Sequence, residues 1–329
     1  MEKMMSKINK IIISLFLLLQ VFVAMPGFAQ MYPTKAVKIV VPWPAGGATD
    51  SLARLISSRL SEAMNQSFII ENKSGASGFI GTEYVAKSIP DGYTLLFITA
   101  STHAISPNLF KNIPYDSIKD FSPIAGVAIG SMLLVSPSNA PFNTVPELIS
   151  FARSKPGALN YATYGNGTTP HLAAELFMQA TGIKMMHIPY RGTGPASMAV
   201  ISGEVSVYFD AITSAMPQIQ SGKLKAIAYT GLQRSQLLPE IPTIAEFYPG
   251  FELSVWYGLE APAGTPKPIV DKLNAQVNRI LSSPDVMEKL QSLGLMSLML
   301  KPEQFGIHIA QQKGKWADVV KKANIPLSD

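Results

Sequence analysis

The sequence of 329 residues contains no cysteine. Disulfide bonds, thiolate metal sites and cysteine nucleophiles are therefore excluded, as is a lipid-modified cysteine at a leader cleavage site. Charge of one sign does not dominate either, since 27 lysines and arginines stand against 22 aspartates and glutamates. The net charge of +5 slightly favours anionic partners, but it is far below that of a typical nucleic-acid-binding protein.

Long apolar runs are also absent, except at the N-terminus. Three lysines precede the apolar run 11–24, which is short against the roughly 20 residues of a membrane-spanning helix. Gly27 and Ala29 provide small residues at the positions that a signal peptidase recognises, so cleavage is expected near Ala29/Gln30. We predict a signal peptide at 1–29 and a mature protein that is free in the periplasm, the alternative being an uncleaved membrane anchor.

The chain after this leader, about 300 residues, is long enough for two domains of ordinary size. Strands and helices alternate along it, which predicts an α/β fold with mixed and mostly parallel sheets. The predicted strands are short apolar runs at 37–41, 67–71, 94–98, 131–136, 159–162 and 255–259. The predicted helices lie at 80–87, 268–282 and 302–323, with two more that end at Gly182 and Gly294.

Two of these strands, 131–136 and 255–259, are predicted to connect two lobes as hinge strands. Lobe 1 is then discontinuous and comprises 31–130 and 255–329, while lobe 2 comprises 131–254. No low-complexity tract separates them, which favours a hinge made of strands over a flexible tether.

The stretch 43–50, WPAGGATD, follows the strand 37–41 and leads into a segment with helical apolar spacing. Paired glycines allow the backbone to approach a ligand and to turn its N–H groups toward one point. The helix behind them adds the positive end of its dipole. The pattern therefore predicts an anion-binding site, and it contains no catalytic side chain.

A second copy of this pattern occurs in the predicted second lobe. The strand 159–162 is followed by the glycine loop 165–168 and by a helix start, with Thr169 as the predicted N-cap and Pro170 in the first turn. One such loop is a weak signal, since many are simple tight turns. Two of them, one in each lobe, predict a cleft in which both loops hold a small anion.

The chain closely resembles the solute receptors of tripartite tricarboxylate transporters, also called the Bug family of periplasmic binding proteins. The matching segments cover essentially the whole mature chain in order and are 42–47, 71–78, 90–95, 102–104, 165–168, 171–173, 189–192, 242–243 and 261–266. Trp43 stands where the family usually has phenylalanine, which predicts a larger aromatic wall that suits a ligand with a flat or apolar body.

The resemblance implies a two-lobed, hinge-closing periplasmic binding protein of the type II-like fold, with a small carboxylate held in the cleft between the lobes. It also implies delivery to the membrane permease of a tripartite tricarboxylate-type transporter, and we expect a monomer with no cofactor and no metal. The predicted ligand-binding residues are Trp43, Ala45, Gly46, Gly47, Ser101, Thr102, Gly167, Thr168, Thr169 and Asp210.

Asp210 matches a family position close to the cleft, and two roles are open for it. It is either the N-cap of a helix that runs to about Gln220, or a partner for an ammonium or another polar group of the ligand. His171, at a helix start, is expected to be neutral and to form hydrogen bonds. The four histidines of the chain have no metal-ligand spacing.

Other classes of function have less support. The segment 75–81, GASGFIG, does not have the glycine spacing of a dinucleotide fingerprint. An exported hydrolase would require a nucleophile elbow or paired carboxylates near the glycines, and the sequence has neither. A sensory receptor that presents its ligand to a membrane kinase remains the alternative to transport, because both would use the same closed form.

Overall fold

The computed structural model describes residues 32–322 together with Ile325 and Leu327, so the predicted signal peptide 1–29 lies outside the described residues. All strands and helices of the described residues lie in one compact unit that begins at Ala36. The strands are β1 Val37–Val41, β2 Phe68–Asn72, β3 Thr94–Thr99, β4 Phe121–Pro137, β5 Asn160–Thr163, β6 Met186–Pro189, β7 Val207–Ala211, β8 Leu224–Tyr229, β9 Ser254–Pro262 and β10 Leu295–Ser297.

The helices alternate with these strands over most of the chain, as the sequence predicts. They are α1 Ala48–Met64, α2 Phe79–Ala86, α3 Ser106–Leu109, α4 Val145–Ser154, α5 Thr169–Thr181, α6 Thr193–Ile201, α7 Ile212–Gln220, α8 Lys267–Leu281, α9 Pro284–Ser292 and α10 Pro302–Lys322. Single turns occur at Ala76–Gly78, Ser101–Ile105 and Ile244–Glu246. Within residues 32–322, none of these helices combines the length and the apolar character that crossing a membrane requires.

The strands form a mixed, curled sheet in the order β2-β1-β3-β9-β4-β7-β5-β6, with β8 and β10 also paired to β4. The pairs at both ends of this order are parallel, as in β1 with β2 and β5 with β6. The pairs around β4 and β9 are antiparallel. The predicted α/β fold with mixed sheets is therefore confirmed, and the parallel groups lie on either side of an antiparallel centre. The sheet is not mostly parallel as predicted, because the long strands β4 and β9 pair in antiparallel fashion with their neighbours.

Strand β4 is much longer than the predicted strand 131–136. Its first part pairs with β9 as far as Ser131, and from Met132 onward it pairs with β7 and β8. The part of β4 before Met132 resembles a loop in sequence because it contains two glycines, which weaken strands in general. A Cβ on Gly126 would lie 2.5 Å from the carbonyl oxygen of Leu298, so the glycine permits a close backbone approach. The change of partner coincides with the predicted hinge, while the lobe boundaries themselves stay a prediction.

The C-terminal helices pack against this central part of the sheet. In α10 the side chains of Phe305, Ile309, Trp316 and Val320 are buried, at the three- and four-residue spacing of one helix face. The ring of Trp256 in β9 meets that of Phe305 edge to face, with centroids 6.1 Å apart. Burial of this face fixes the positions of β9 and β4, and both strands carry residues of the candidate site.

Candidate ligand-binding site

The start of α1 is the first part of the site. Gly47 is the N-cap, and no side chain accepts a hydrogen bond there from the backbone of the first turn. Gly46 has φ of +83°, a conformation that glycine adopts without strain. The first N–H groups of α1 therefore have no side-chain cap and are available to an anion.

Asp50 holds this loop in place from the first turn of α1. Its Oδ2 accepts hydrogen bonds of 2.9 Å from the Gly46 N–H and from Arg54 Nε, and its Oδ1 accepts one of 2.9 Å from Asn72 Nδ2. Burial alone would raise the pKa of Asp50, but the bonds from Arg54, Gly46 and Asn72 outweigh it and lower that pKa. The carboxylate is thus a fixed structural anion beneath the loop, and the Gly46 N–H is occupied.

The start of α6 faces the start of α1. Gly192, with φ of +114°, is the N-cap of α6 and also has no side-chain cap. A Cβ on Gly192 would lie 2.9 Å from Pro44 Cγ, and a Cβ on Gly47 would lie 3.8 Å from Thr193 Oγ1. Two uncapped helix N-termini, from distant parts of the chain, therefore meet at van der Waals distance.

A cavity of about 130 Å³ lies between these two helix starts. Its walls come from the loop before α1, the start of α6, the middle of β4, the ends of β5 and β7, and the first half of β9. The lining residues are Trp43, Pro44, Ala45, Gly46, Gly47, Ala48, Thr49, Met132, Tyr164, Gly192, Thr193, Gly194, Pro195, Asp210, Ala211, Val255 and Tyr257. Five of the ten predicted ligand-binding residues are thus brought together around one space.

Aromatic side chains form one wall of the cavity. The rings of Trp43 and Tyr164 meet edge to face, with centroids 5.1 Å apart. Trp43 is only 8% exposed, and its indole Nε1 has no hydrogen-bond partner in the described part of the chain. A buried N–H without a partner is uncommon in folded proteins.

Asp210 lies at the end of β7 and not at a helix N-cap, which is Ala211 with no side-chain bond. The N-cap alternative is therefore wrong, because the strand continues through this residue. Its Oδ2 accepts a 3.2 Å hydrogen bond from Ser197 in α6, and its Oδ1 accepts one from Ser214 in α7. Burial raises the pKa of Asp210 to about 7, and the two serine hydroxyls oppose this rise only in part.

The second glycine loop does not open onto this cavity. The N–H of Thr169, the first residue of α5, donates a 3.0 Å hydrogen bond to Ser101 Oγ, and the hydroxyls of the two residues are 2.8 Å apart. Ser106 Oγ donates to the Gly167 carbonyl at 2.9 Å. The N-cap is Thr168 and not the predicted Thr169, because α5 begins one residue earlier than expected.

The remaining predicted residues are therefore adjacent to the cavity but not on its wall. Ser101, Thr102, Thr168 and Thr169 are all fully buried. Tyr164 connects the two groups, since its ring lines the cavity and its OH is 3.4 Å from Ser101 Oγ. Ligand contacts by Ser101, Thr102 and the loop 167–169 stay a prediction.

The loop that faces residues 43–49 is 192–195, which the sequence analysis did not include among the binding residues. A signal was present, because Gly192 and Gly194 are followed by Pro195 within the first turn of α6. His171 behaves as expected: its Nδ1 accepts a 3.1 Å hydrogen bond from the Gly167 N–H, which requires a neutral ring. Burial, reinforced by neighbouring His187, lowers the pKa of His171 to about 4.

Other parts of the described chain are weaker candidates for a ligand site. No group of three acidic, histidine or cysteine side chains among residues 32–322 could hold a metal ion. A larger groove of about 480 Å³ lies on the surface between α5, the segment 247–252 and α10. Its charged residues, Glu252 and Lys315, pair with each other at 3.1 Å. The cavity at the two helix starts is therefore the better candidate for an anion site, although the groove is larger.

Comparisons with known proteins agree with this fold. The family of tripartite tricarboxylate transporter receptors, TctC, matches residues 52–325. The protein BugT of Bordetella pertussis is 34% identical over 307 residues, which cover 93% of this chain and 94% of BugT. The structure of the periplasmic binding protein BugD has a TM-score of 0.86 and 36% identity, and the match covers 90% of this chain and all of BugD.

A further similar structure contains a ligand. The R. palustris protein Rpa4515, solved with adipate, has a TM-score of 0.88 and 37% identity, and the match covers 90% of this chain and all of Rpa4515. These relatives are solute-binding proteins and not enzymes. Since the family match spans most of the sequence and the fold agrees over nine-tenths of it, the chain belongs to the tripartite tricarboxylate transporter receptor (TctC) family of solute receptors.

Proposed function

We propose that this receptor binds a small carboxylate in the cavity between residues 43–49 and the start of α6, and that it delivers the ligand to a tripartite tricarboxylate-type membrane permease. The observation that carries the proposal is the pair of facing helix N-termini without side-chain caps, α1 at Gly47 and α6 at Gly192. A carboxylate has two oxygens with several lone pairs, so it can accept N–H groups from both sides.

The electrostatics of the two helices are sufficient for a single anionic group. Each helix N-terminus carries the equivalent of about half a positive charge, so two of them offset roughly one carboxylate. Among the described residues that line this cavity there is no lysine, arginine or histidine. Binding through backbone groups preorganised by Asp50 also avoids the ordering of a long cationic side chain.

The family and its relatives support the same ligand class, since Rpa4515 was solved with adipate. The apolar N-terminal run and its cleavage signals support export to the periplasm. We further propose that the mature chain acts as a monomer. Contacts from Ser101, Thr102 and the loop 167–169 would require a ligand that extends past Tyr164, because these groups lie behind that ring.

Thermal unfolding of the mature protein tests ligand binding. A carboxylate that binds only the folded cavity stabilises it by about 2.7 kcal/mol at 100 times its dissociation constant. For a chain of this size the unfolding midpoint should then rise by several degrees. The methyl ester and the amide of the same acid are the controls and should produce little shift. If a broad carboxylate screen produces no shift and no acid co-purifies, carboxylate binding is contradicted.

Delivery requires a separate measurement. Cells that make this protein should take up the radiolabelled ligand more slowly when the receptor gene is deleted, and re-expression should restore uptake. Normal uptake with loss of a transcriptional response to the same ligand would instead indicate the sensory role, because the receptor would then serve a membrane kinase.

A further inference from the structure

The candidate cavity contains a carboxyl group of its own and no basic side chain to balance it. Among the described residues that line it, Asp210 is the single acidic side chain, and lysine, arginine and histidine are absent. Asp210 is 1% exposed, and its two oxygens accept hydrogen bonds from the neutral hydroxyls of Ser197 and Ser214. A negative charge on Asp210 is therefore not offset by any side chain of the cavity wall.

The two helix starts cannot balance Asp210 and a ligand together. The N-termini of α1 and α6 offset roughly one carboxylate. A bound carboxylate and an ionised Asp210 would place two negative charges in one space of about 130 Å³. At the short separations that such a buried space allows, salt screens their repulsion poorly. Addition of one proton would remove the excess charge.

We propose that ligand binding at this site, on the assumption that it is the carboxylate site of the proposed function, takes up one proton onto Asp210. The ligand carboxylate lies at the starts of α1 and α6, and Asp210 is a neutral carboxylic acid in the complex. The proton converts a repulsive charge into a group with one O–H donor. The cavity thereby accepts monocarboxylates and also dicarboxylates, whose second carboxylate can accept that O–H.

The neighbours of Asp210 accommodate both of its protonation states. Ser197 Oγ donates to Oδ2 at 3.2 Å, and Ser214 Oγ donates to Oδ1. Ser214 Oγ is also 3.0 Å from the Ala211 carbonyl oxygen, which is a second acceptor for its single hydrogen. When Oδ1 is protonated, Ser214 can donate to Ala211 and accept the new O–H instead. The proton can therefore be added without a change of the backbone.

The proton binds to Asp210 and not to the ligand because the pKa of Asp210 is the higher of the two. Burial raises the pKa of Asp210 to about 7, although hydrogen bonds from Ser214, Ser197 and the Ala211 backbone lower it. An ordinary carboxylic acid has a pKa of about 4. The negative charge of a bound ligand disfavours ionisation of Asp210 further and raises its pKa in the complex. At pH 8 the free protein is mostly ionised at Asp210, whereas the complex holds the proton.

The phenols near Asp210 do not exchange protons in the same pH range. Tyr164, Tyr208 and Tyr257 interact with it electrostatically, and burial raises the pKa of each above its ordinary value of 10. They are therefore neutral up to pH 9, and proton uptake below this pH is not theirs.

The elements around Asp210 contain no other charge that faces it. Strands β4, β5 and β7 and helices α6 and α7 contain no further charged residue. Helix α5 contains His171 and Glu175, but it covers the opposite face of β7, where the ring of Phe177 meets that of Phe209.

Calorimetric titration in buffers of different ionisation enthalpy counts the protons that the protein takes up on binding. The probe is the tightest binder among succinate, adipate and benzoate. We expect the wild-type protein to take up close to one proton at pH 8, about half a proton at pH 7 and little at pH 6, where Asp210 is already protonated. The apparent dissociation constant should rise roughly 50- to 100-fold from pH 6 to pH 9.

Asp210→Asn tests the assignment, because the amide has the shape of a neutral carboxyl group and does not titrate. It should bind without proton uptake, hold its affinity within about 3-fold from pH 6 to pH 9, and bind more tightly than the wild-type protein at pH 9. Asp271→Asn is the matched control, since it removes the same charge from an exposed pair with Lys267 and should behave as the wild type. Ser214→Ala removes a bond that lowers the pKa of Asp210, so its affinity should begin to fall at a higher pH.

Each outcome decides between the proposals. Carboxylate binding by the wild-type protein without proton uptake at pH 8 overturns the proton uptake but leaves the proposed function intact. Unchanged uptake in Asp210→Asn shows that another group takes the proton, and also overturns it. Absence of binding to these acids and to the broader screen, in protein with a normal circular dichroism spectrum, overturns both proposals. If Asp210→Asn does not fold, the pH profile of Ser214→Ala decides, and a profile identical to that of the wild type contradicts the assignment.

Discussion

Two glycine-rich helix starts with the same sequence pattern differ in what fills them. The loop 43–47 leads into α1 and the loop 165–168 leads into α5, and neither helix has a side-chain cap from its own N-cap residue. At α1 the helix start opens onto the cavity. At α5 the Thr169 N–H is already bonded to Ser101 Oγ, a residue 68 positions away in the chain.

The difference shows that a strand, a glycine loop and a helix do not by themselves make an anion site. Local sequence determines the backbone path, but a distant hydroxyl decides whether the first N–H groups of the helix remain available. The start of α6 shows the opposite combination. Its glycine pattern is a weaker sequence signal for an anion site, and yet this helix start lines the cavity.

The largest effect is expected from a charge at the open helix start. Gly47 has φ of −81°, and a Cβ there would have no neighbour closer than 3.8 Å, so a side chain fits without backbone strain. Gly47→Asp should place a carboxylate in the position of the ligand carboxylate and weaken binding by more than about 100-fold. Titration with the best-binding acid measures this loss.

Gly47→Ala is the matched control, since it adds the Cβ without the charge. It should keep affinity within about 3-fold and leave the circular dichroism spectrum unchanged, because the site has room for a methyl group. Wild-type affinity in a folded Gly47→Asp protein would move the anion site away from α1.

A substitution in the loop 165–168, where the helix start is already hydrogen-bonded, should change the stability of the fold. Gly167 has φ of +66°, and a Cβ there would overlap the ring of Phe110. We expect Gly167→Ala to lower the free energy of unfolding by about 2–4 kcal/mol, through backbone strain and displacement of the ring. Urea denaturation measures the loss. Gly157→Ala is the control, because Gly157 also has positive φ, of +81°, but has no atom within 4 Å of the added Cβ, so only about 1 kcal/mol should be lost.

Equal losses in the two alanine variants would show that loop 165–168 is not tightly packed. The comparison between an open and a filled helix start would then fail, since α5 would be as accessible as α1.

A fall in pH should weaken the loop 165–168 before it weakens the loop 43–47. His171 accepts the Gly167 N–H through Nδ1, and burial with the nearby His187 lowers its pKa to about 4 from an ordinary value of 6.5. A histidine that is neutral in the fold contributes stability that is complete above pH 6.5 and is lost as the pH falls toward 4. The loss is at most about 3 kcal/mol. Asp50 beneath the open loop has a lowered pKa, so it stays ionised over this range.

Asparagine isolates the contribution of His171, because its Oδ1 can accept the Gly167 N–H but does not titrate in this range. Unfolding free energies of the wild-type protein and of His171→Asn should therefore converge or cross between pH 7 and pH 4.5. A constant difference between the two proteins over that range would mean that the His171 ring does not hold the loop in its neutral form.

Much of this architecture could be predicted from the sequence where the determinant is local. The strand 37–41, the helix start near Gly47 and the end of α5 at Gly182 follow from short apolar runs, glycines and caps. The full length of β4 could not be predicted, because its glycine at 126 is explained by the approach of Leu298 from a distant segment. The position of Asp210 in a strand likewise depends on pairing with Leu133, which composition does not reveal.

The smallest effect is expected from a substitution of Ser101. Its result decides whether Ser101 only accepts the first N–H of α5 or also contacts the ligand. Ser101→Ala leaves the buried Thr169 N–H without its acceptor, which should cost about 1–2 kcal/mol of unfolding free energy. The exposed Ser154→Ala, at the end of α4, is the control and should cost less than about 0.5 kcal/mol. Affinity should change by less than about 3-fold if Ser101 only fills the helix start. A loss above about 10-fold, with unchanged stability, would instead confirm the ligand contact predicted from sequence and make α5 a second open start.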